Sequence, residues 1–234
     1  CALPISGEFS RVCITAAEDG CLIADSGLYY VAYPPAKPEE SYTVPDGIEE
    51  IAAGAFSFAT HLKDVTVPEG VAYIDNWAFA YSGVTKITMQ SVLQIDDYAF
   101  AYCQSLHEVS LGTVLEKIGN AAFSYDTALT QITLPNSLTD IGQYAFSGCS
   151  LPSVTIPDSL ENINYCAFGY DASGNAIEDF IIYGEEYTMA QEYATASDPD
   201  NDYQNKFAFI PVENADIPYE LGGGTLVTEA PEET

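Results

Sequence analysis

The chain has 234 residues, 47% of them hydrophobic, and carries 35 acidic side chains against 6 Lys and Arg, a formal net charge of −29 at pH 7. Length and apolar fraction suit one large folded domain, while a surface this acidic repels phosphate backbones and anionic headgroups and so excludes nucleic acid and membrane surfaces as partners. No apolar run approaches the length of about 18 residues that a membrane-spanning helix needs, and any charged-then-apolar leader would lie outside the chain shown.

Residues 1–40 are predicted to form an N-terminal cap. Cys21 to Tyr33 reads as strand material broken at the turn signal Asp25-Ser26-Gly27, and Pro34, Pro35 and Pro38 stop it. Cys1 fits either a lipid-modified N-terminal cysteine or, more plainly, a chain boundary or a partner for Cys13 or Cys21.

From residue 41 to 184 one pattern recurs. The pair Ala-Phe falls at Ala55, Ala78, Ala99, Ala122, Ala145 and Ala167, with steps of 23, 21, 23, 23 and 22 residues. Four residues ahead of each Ala stands an isoleucine, from Ile51 to Ile163, and three ahead of that an aliphatic residue, from Ile48 to Leu160. Further upstream an alternating pair such as Val65 and Val67, or Val154 and Ile156, marks a short half-buried strand. Self-similarity at a fixed period means that one coil of chain repeats its path, each coil burying its apolar side chains against its neighbours. The strands should therefore align as a parallel sheet, with a second extended piece around pairs such as Leu138 and Ile141. The small Ala lets backbones approach, and Phe fills the coil centre.

Residues 185–212 are predicted to close the solenoid, with a short amphipathic helix over Tyr187–Ala196 and a strand over Phe207–Val212. Residues 213–234, with Gly222-Gly223-Gly224 and a run of acids, read as a flexible tail or linker.

The coil Leu-x-x-Val-x-Ile-Pro-x-x-Leu-x-x-Ile-x-x-x-Ala-Phe, as in Leu151 to Phe168, resembles the BspA-like, or Treponema pallidum type, leucine-rich repeat. The resemblance implies a leucine-rich-repeat solenoid that is β-rich, right-handed and curved, with a parallel sheet, short turns and 3-10 segments. It further implies a secreted or surface-anchored bacterial protein, usually without catalysis, several members being adhesins for host matrix proteins or other bacteria. Where the family often has Gly two residues after the Phe, as Gly148 does, this chain has Phe58, Tyr81, Tyr102, Tyr125 and Tyr170.

That aromatic row is the most distinctive candidate surface. Coils stacked roughly 5 Å apart would pile the rings into one stripe. It would seal the edge of the coils or, in a functional reading, offer a rigid strip to a protein loop or a sugar. The residues between the inward pairs, Thr43, Thr66, Thr88, Ser110, Thr133 and Thr155, form a hydroxyl row on the sheet face. Threonine is also simply a good strand residue. Any specificity on that face would be set by the flanking Asp64, Lys86, Glu108, Gln131 and Asp179.

Asp198, Asp200 and Asp202 copy half a calcium loop, but Tyr203 and Phe209 stand where Gly and Glu are required, so a solvated acidic loop is the better reading. The six cysteines lack metal-site spacing, and Cys103 and Cys149 occupy one place in two coils as small buried side chains. No nucleophile elbow, Cys-His pairing or phosphate loop appears. The expectation is a monomeric, cofactor-free, non-catalytic surface or secreted protein that binds an extracellular protein. A carbohydrate-binding module using the tyrosine stripe, or a structural stalk for a domain outside the chain, are the alternatives.

Overall fold

The computed structural model describes residues 14–24, 27–198 and 203–212. Cys1, Cys13, Asp200, Asp202 and residues 213–234, on which the expectations of lipidation, of half a calcium loop and of a flexible tail fall, lie outside the described residues.

The chain winds as a parallel β-solenoid whose coils meet along two faces. On one, two-residue strands stack in register, Glu50–Ile51 on Tyr73–Ile74, then Gln94–Ile95, Lys117–Ile118, Asp140–Ile141 and Asn162–Ile163. Each contributes one inward isoleucine, and those from Ile51 to Ile141 are fully buried. The N-terminal segment continues this face. Tyr29–Ala32 pairs parallel with Glu50–Ile51, and behind it Leu22–Ala24 and Ile14–Ala16 turn antiparallel, so the first coil is covered by a small meander rather than left open.

On the other face the alternating segments Ser41–Thr43, Asp64–Val67, Lys86–Met89 and Glu108–Ser110 form one parallel sheet, and Ser153–Thr155, Ile181–Gly184 and Ala208–Pro211 form another. The single continuous sheet expected from the repeat is thus divided. The intervening coil follows the same course, since Leu129, Leu134 and Leu138 keep their buried places. Its backbone nevertheless stands out of hydrogen-bond reach: among the described residues none of 130–134 exchanges a backbone hydrogen bond with either neighbouring coil. Val109 and Ile132, on the two sides of this gap, are only half-buried.

The core is a column of rings. Phe56, Phe79, Phe100, Phe123, Phe146 and Phe168 stack with centroids 4.6, 4.9, 5.0, 5.1 and 4.8 Å apart and planes within 8° of parallel. Tyr30 extends the column at one end, 4.8 Å from Phe56. At the other end Tyr193 meets Phe168 edge-on at 6.3 Å, and its hydroxyl donates to the Phe168 carbonyl at 2.9 Å. Tyr193 belongs to the short helix Met189–Thr195, which presses Ala190, Tyr193 and Ala194 against the last coils. Among the described residues no helix is long and apolar enough to cross a membrane.

Candidate functional site

The Ala-Phe turn controls where the exposed aromatic side chains go. Two residues in each turn adopt left-handed backbone geometry, the one before the Ala and, in the first five turns, the one two after the Phe. For bulky residues this geometry is uncommon and costs about 1–3 kcal/mol. It persists because it points the backbone N–H along the stack: Phe58 N donates to Ala80 O at 3.1 Å, Tyr81 N to Ala101 O at 3.0 Å, Tyr102 N to Ser124 O at 2.8 Å and Tyr125 N to Ser147 O at 2.9 Å. Each coil thereby fixes the turn of the one before it.

Four of the five residues expected in the aromatic row stand together. Phe58, Tyr81, Tyr102 and Tyr125 stack with centroids 5.2, 4.7 and 4.7 Å apart and planes within 4° of parallel. Phe58 is 60% and Tyr81 41% exposed, so the row presents ring edges and hydroxyls to solvent while each ring covers its neighbour's face. Tyr170 is not part of it. Gly169 takes the left-handed turn one residue early, at φ 76°, and swings the Tyr170 ring inward. There it is buried, its hydroxyl donates to Asn205 Oδ1 at 2.6 Å, and it meets Phe207 edge-on. It anchors the C-terminal closing segment.

The hydroxyl row is likewise interrupted. Thr43, Thr66, Thr88 and Ser110 follow one another on the four-stranded sheet, Thr155 lies on the three-stranded one, and Thr133 falls in the gap, on neither. Of the flanking residues, Lys86 and Glu108 pair with each other across adjacent coils.

A second exposed aromatic row was not anticipated. It occupies the left-handed position before the Ala, at Trp77, Tyr98 and Tyr144, with φ of 60°, 59° and 58°. Trp77 and Tyr98 stack at 4.3 Å, and Tyr144 meets Tyr165 edge-on at 5.3 Å. The equivalent place between Tyr98 and Tyr144 holds Ala121, also left-handed at φ 52°. Only the register of the repeat, counted at the residue before each Ala, could have shown it in sequence.

Beside this row is a polar cavity of about 500 Å³ on the face of two-residue strands. Its floor is Gly119 and Gly142. A Cβ on Gly142 would sit 2.5 Å from Asn120 N, so glycine here is what lets the coils close up. Around the floor stand Asp97, Asn120, Asp140 and Lys117. Asp97 accepts from the Asn120 backbone at 2.6 Å and from its side-chain amide at 3.2 Å, and Asn120 Oδ1 accepts from Gln143 N at 2.9 Å. Asp140 accepts from Asn162 Nδ2 at 2.9 Å and Thr139 Oγ1 at 2.8 Å.

Three residues after the first five core Phe runs a buried column of small side chains: Ala59, Ser82, Cys103, Asp126 and Cys149. Cys103 and Cys149 are free thiols that donate to the carbonyls of Phe79 and Phe123 at 3.0 and 3.1 Å. Asp126 is wholly buried. Its Oδ1 accepts the Cys103 backbone N–H at 2.8 Å, and burial pushes its carboxyl well above the ordinary value against the pull of that bond. At the N-terminal end, Asp19 joins Cys21 and Lys37. Burial would raise its pKa, yet hydrogen bonds from Cys21 N, Cys21 Sγ and Lys37 Nζ, at 3.1, 3.2 and 3.0 Å, outweigh it and hold the carboxylate below its usual range. His61 and His107 are both exposed. Among the described residues no three His, Cys, Asp or Glu side chains gather closely enough to hold a metal ion.

Comparison with known proteins agrees with this geometry. The pattern described as "BspA type Leucine rich repeat region" matches residues 36–127 and 116–194, in six copies. No curated protein sequence matches the chain. Among solved structures, the pneumococcal vaccine antigen PcpA is similar over 83% of this chain and 47% of its own, at 22% identity and a TM-score of 0.65. The leucine-rich-repeat protein of T. pallidum is similar over 74% of this chain and 78% of its own, at 25% identity and a TM-score of 0.58. This chain thus spans about half of the pneumococcal protein and about four-fifths of the treponemal one. The chain belongs to the BspA-type leucine-rich-repeat family.

Proposed function

We propose that the protein is a non-catalytic interaction module of a bacterial cell surface or secreted protein, adhering through the row Phe58, Tyr81, Tyr102 and Tyr125 to an extracellular protein. The observation that carries this reading is the row itself. It is a rigid line of solvent-facing rings about 15 Å long, held in place by backbone hydrogen bonds between successive coils. Tyrosine offers large contact area at low entropic cost and is enriched at interfaces. Because the rings cover one another's faces, a sugar has no open face to stack on within this row, whereas a protein loop can pack against edges and hydroxyls. That favours a protein partner here over a glycan. The acidic surface favours a partner with a basic face.

The test is surface plasmon resonance of the purified protein against a panel of immobilised extracellular-matrix proteins, with the double variant Tyr81→Ala, Tyr102→Ala alongside. Ala121 already holds the equivalent geometry one position class away, so alanine is compatible with a left-handed turn residue of this fold. Saturable binding weakened at least about tenfold by the double variant is expected. Binding that the variant leaves unchanged would remove the row from the interface.

A further inference from the structure

We infer that the exposed surface around Trp77, Glu50 and Asp75 receives an arginine side chain from a basic segment of the protein's partner. The inference rests on the reading of this chain as an interaction module that meets a basic face, and it says where one cation of that face goes.

The register of the repeat builds the place. Trp77 stacks on Tyr98 at 4.3 Å, and the equivalent position in the preceding coil is Gly54, so that coil lays no ring on the other face of Trp77. Ala52, Ala53 and Gly54 stand where the next coil has Asp75, Asn76 and Trp77. Three small residues, none of them buried, thus form a ledge beside a taller coil. Outside its chain neighbours, a Cβ on Gly54 would meet only Ser57 Oγ within 4 Å, so the space over the ledge is open. Trp77 is 40% exposed, and an indole face turned to such a space is a platform for a cation.

Uncompensated charge lies on the same face. Glu50 pairs in register with Tyr29 on one side and Tyr73 on the other, and both rings are exposed. Its carboxyl is pushed up, first by burial and then by the charges of Asp75 and Asp96, so acids on successive coils act on one another. Among the described residues no Lys or Arg forms an ion pair with any of the three. Asp75 Oδ1 accepts from Asn76 N and Nδ2 at 2.6 and 3.0 Å, which fixes the orientation of that carboxylate. A cation seated here relieves a repulsion built into the fold.

The geometry also selects the cation. Among the described residues no three His, Cys, Asp or Glu side chains gather closely enough to hold a metal ion, so a divalent ion lacks its ligands. A guanidinium is planar, reaches separated carboxylates with its fork of N–H donors and stacks on an indole. An ammonium is a compact point charge that does the first less well and the second hardly at all. Anionic ligands are repelled by the same carboxylates.

Trp77 is the single tryptophan of the chain, so its emission reports on this place alone. The experiment titrates the whole chain, at low ionic strength, with the end-blocked peptide Gly-Arg-Gly-Arg-Gly and with its lysine and citrulline counterparts. A saturable change in emission is expected with the arginine peptide, at least about fivefold weaker binding with the lysine peptide, and none with the uncharged citrulline peptide. The double variant Glu50→Gln, Asp75→Asn should bind the arginine peptide about tenfold more weakly. Ala52→Arg supplies a guanidinium from the ledge itself and should raise the melting temperature while abolishing the response. The inference is overturned if the arginine peptide leaves the emission unchanged, if the citrulline peptide binds equally, or if the double variant binds as tightly as the wild type. Should Ala52→Arg fail to fold, the double variant decides alone. The variant Tyr81→Ala, Tyr102→Ala should bind the arginine peptide as the wild type does, so loss of adhesion through that row and loss of this site are read separately.

Discussion

Asp126 shows how one side chain sets a pH dependence in this fold. Its carboxyl is raised by burial, so the folded protein holds a proton there that the unfolded chain has released above the ordinary aspartate range. The native state then binds more protons than the unfolded one, and stability falls as pH rises from about 4 towards the folded pKa. Asp126→Asn keeps the acceptor for Cys103 N and removes the titration. We predict that its melting temperature exceeds that of the wild type at pH 7 by about 2–4 °C and that the advantage shrinks towards pH 4. A difference independent of pH would show that the carboxyl is ionised in the folded state. In sequence Asp126 is one acid among 35, and only its place in the column Ala59, Ser82, Cys103, Asp126 and Cys149 shows that it is interior.

At the scale of the coil, spacing alone located the buried faces. The copies hide nearly the same positions, so Ile51 to Ile141 and Phe56 to Phe168 declared the stack and its core. The turn geometry was less legible, because aromatic residues ordinarily avoid positive φ, and nothing in local preference says that Trp77 or Tyr81 will adopt it. Only the demand for an N–H aimed at the next coil overrides that preference, and this demand is tertiary. Tyr170 was misplaced for a related reason: Gly169 moves the turn by one residue, and a one-residue shift reverses which way a ring points. The close approach of coils gives a direct test. In Gly142→Ala the new Cβ would stand 2.5 Å from both Asn120 N and Gly119 C, closer than atoms tolerate. The coils must separate there, at a cost of about 1–3 kcal/mol in urea denaturation. Unchanged stability would mean that the stack is looser than the structure has it.

For the whole molecule, charge is the governing quantity. Only two ion pairs, Lys37 with Asp19 and Lys86 with Glu108, occur among the described residues, so most of the acidic side chains repel one another without local compensation. Salt should therefore stabilise the protein. Between about 10 and 150 mM NaCl the screening length shortens from about 30 to 8 Å, and the melting temperature should rise by several degrees. A flat or falling curve would contradict unrelieved repulsion. The seam at residues 130–134 bears on shape as well. A rod laced without interruption along one side, but with a missed stitch on the opposite side, yields in a preferred direction. Flexure would open the half-covered Val109 and Ile132 and leave the laced side, where the glycine-floored hollow lies, as the stiff spine.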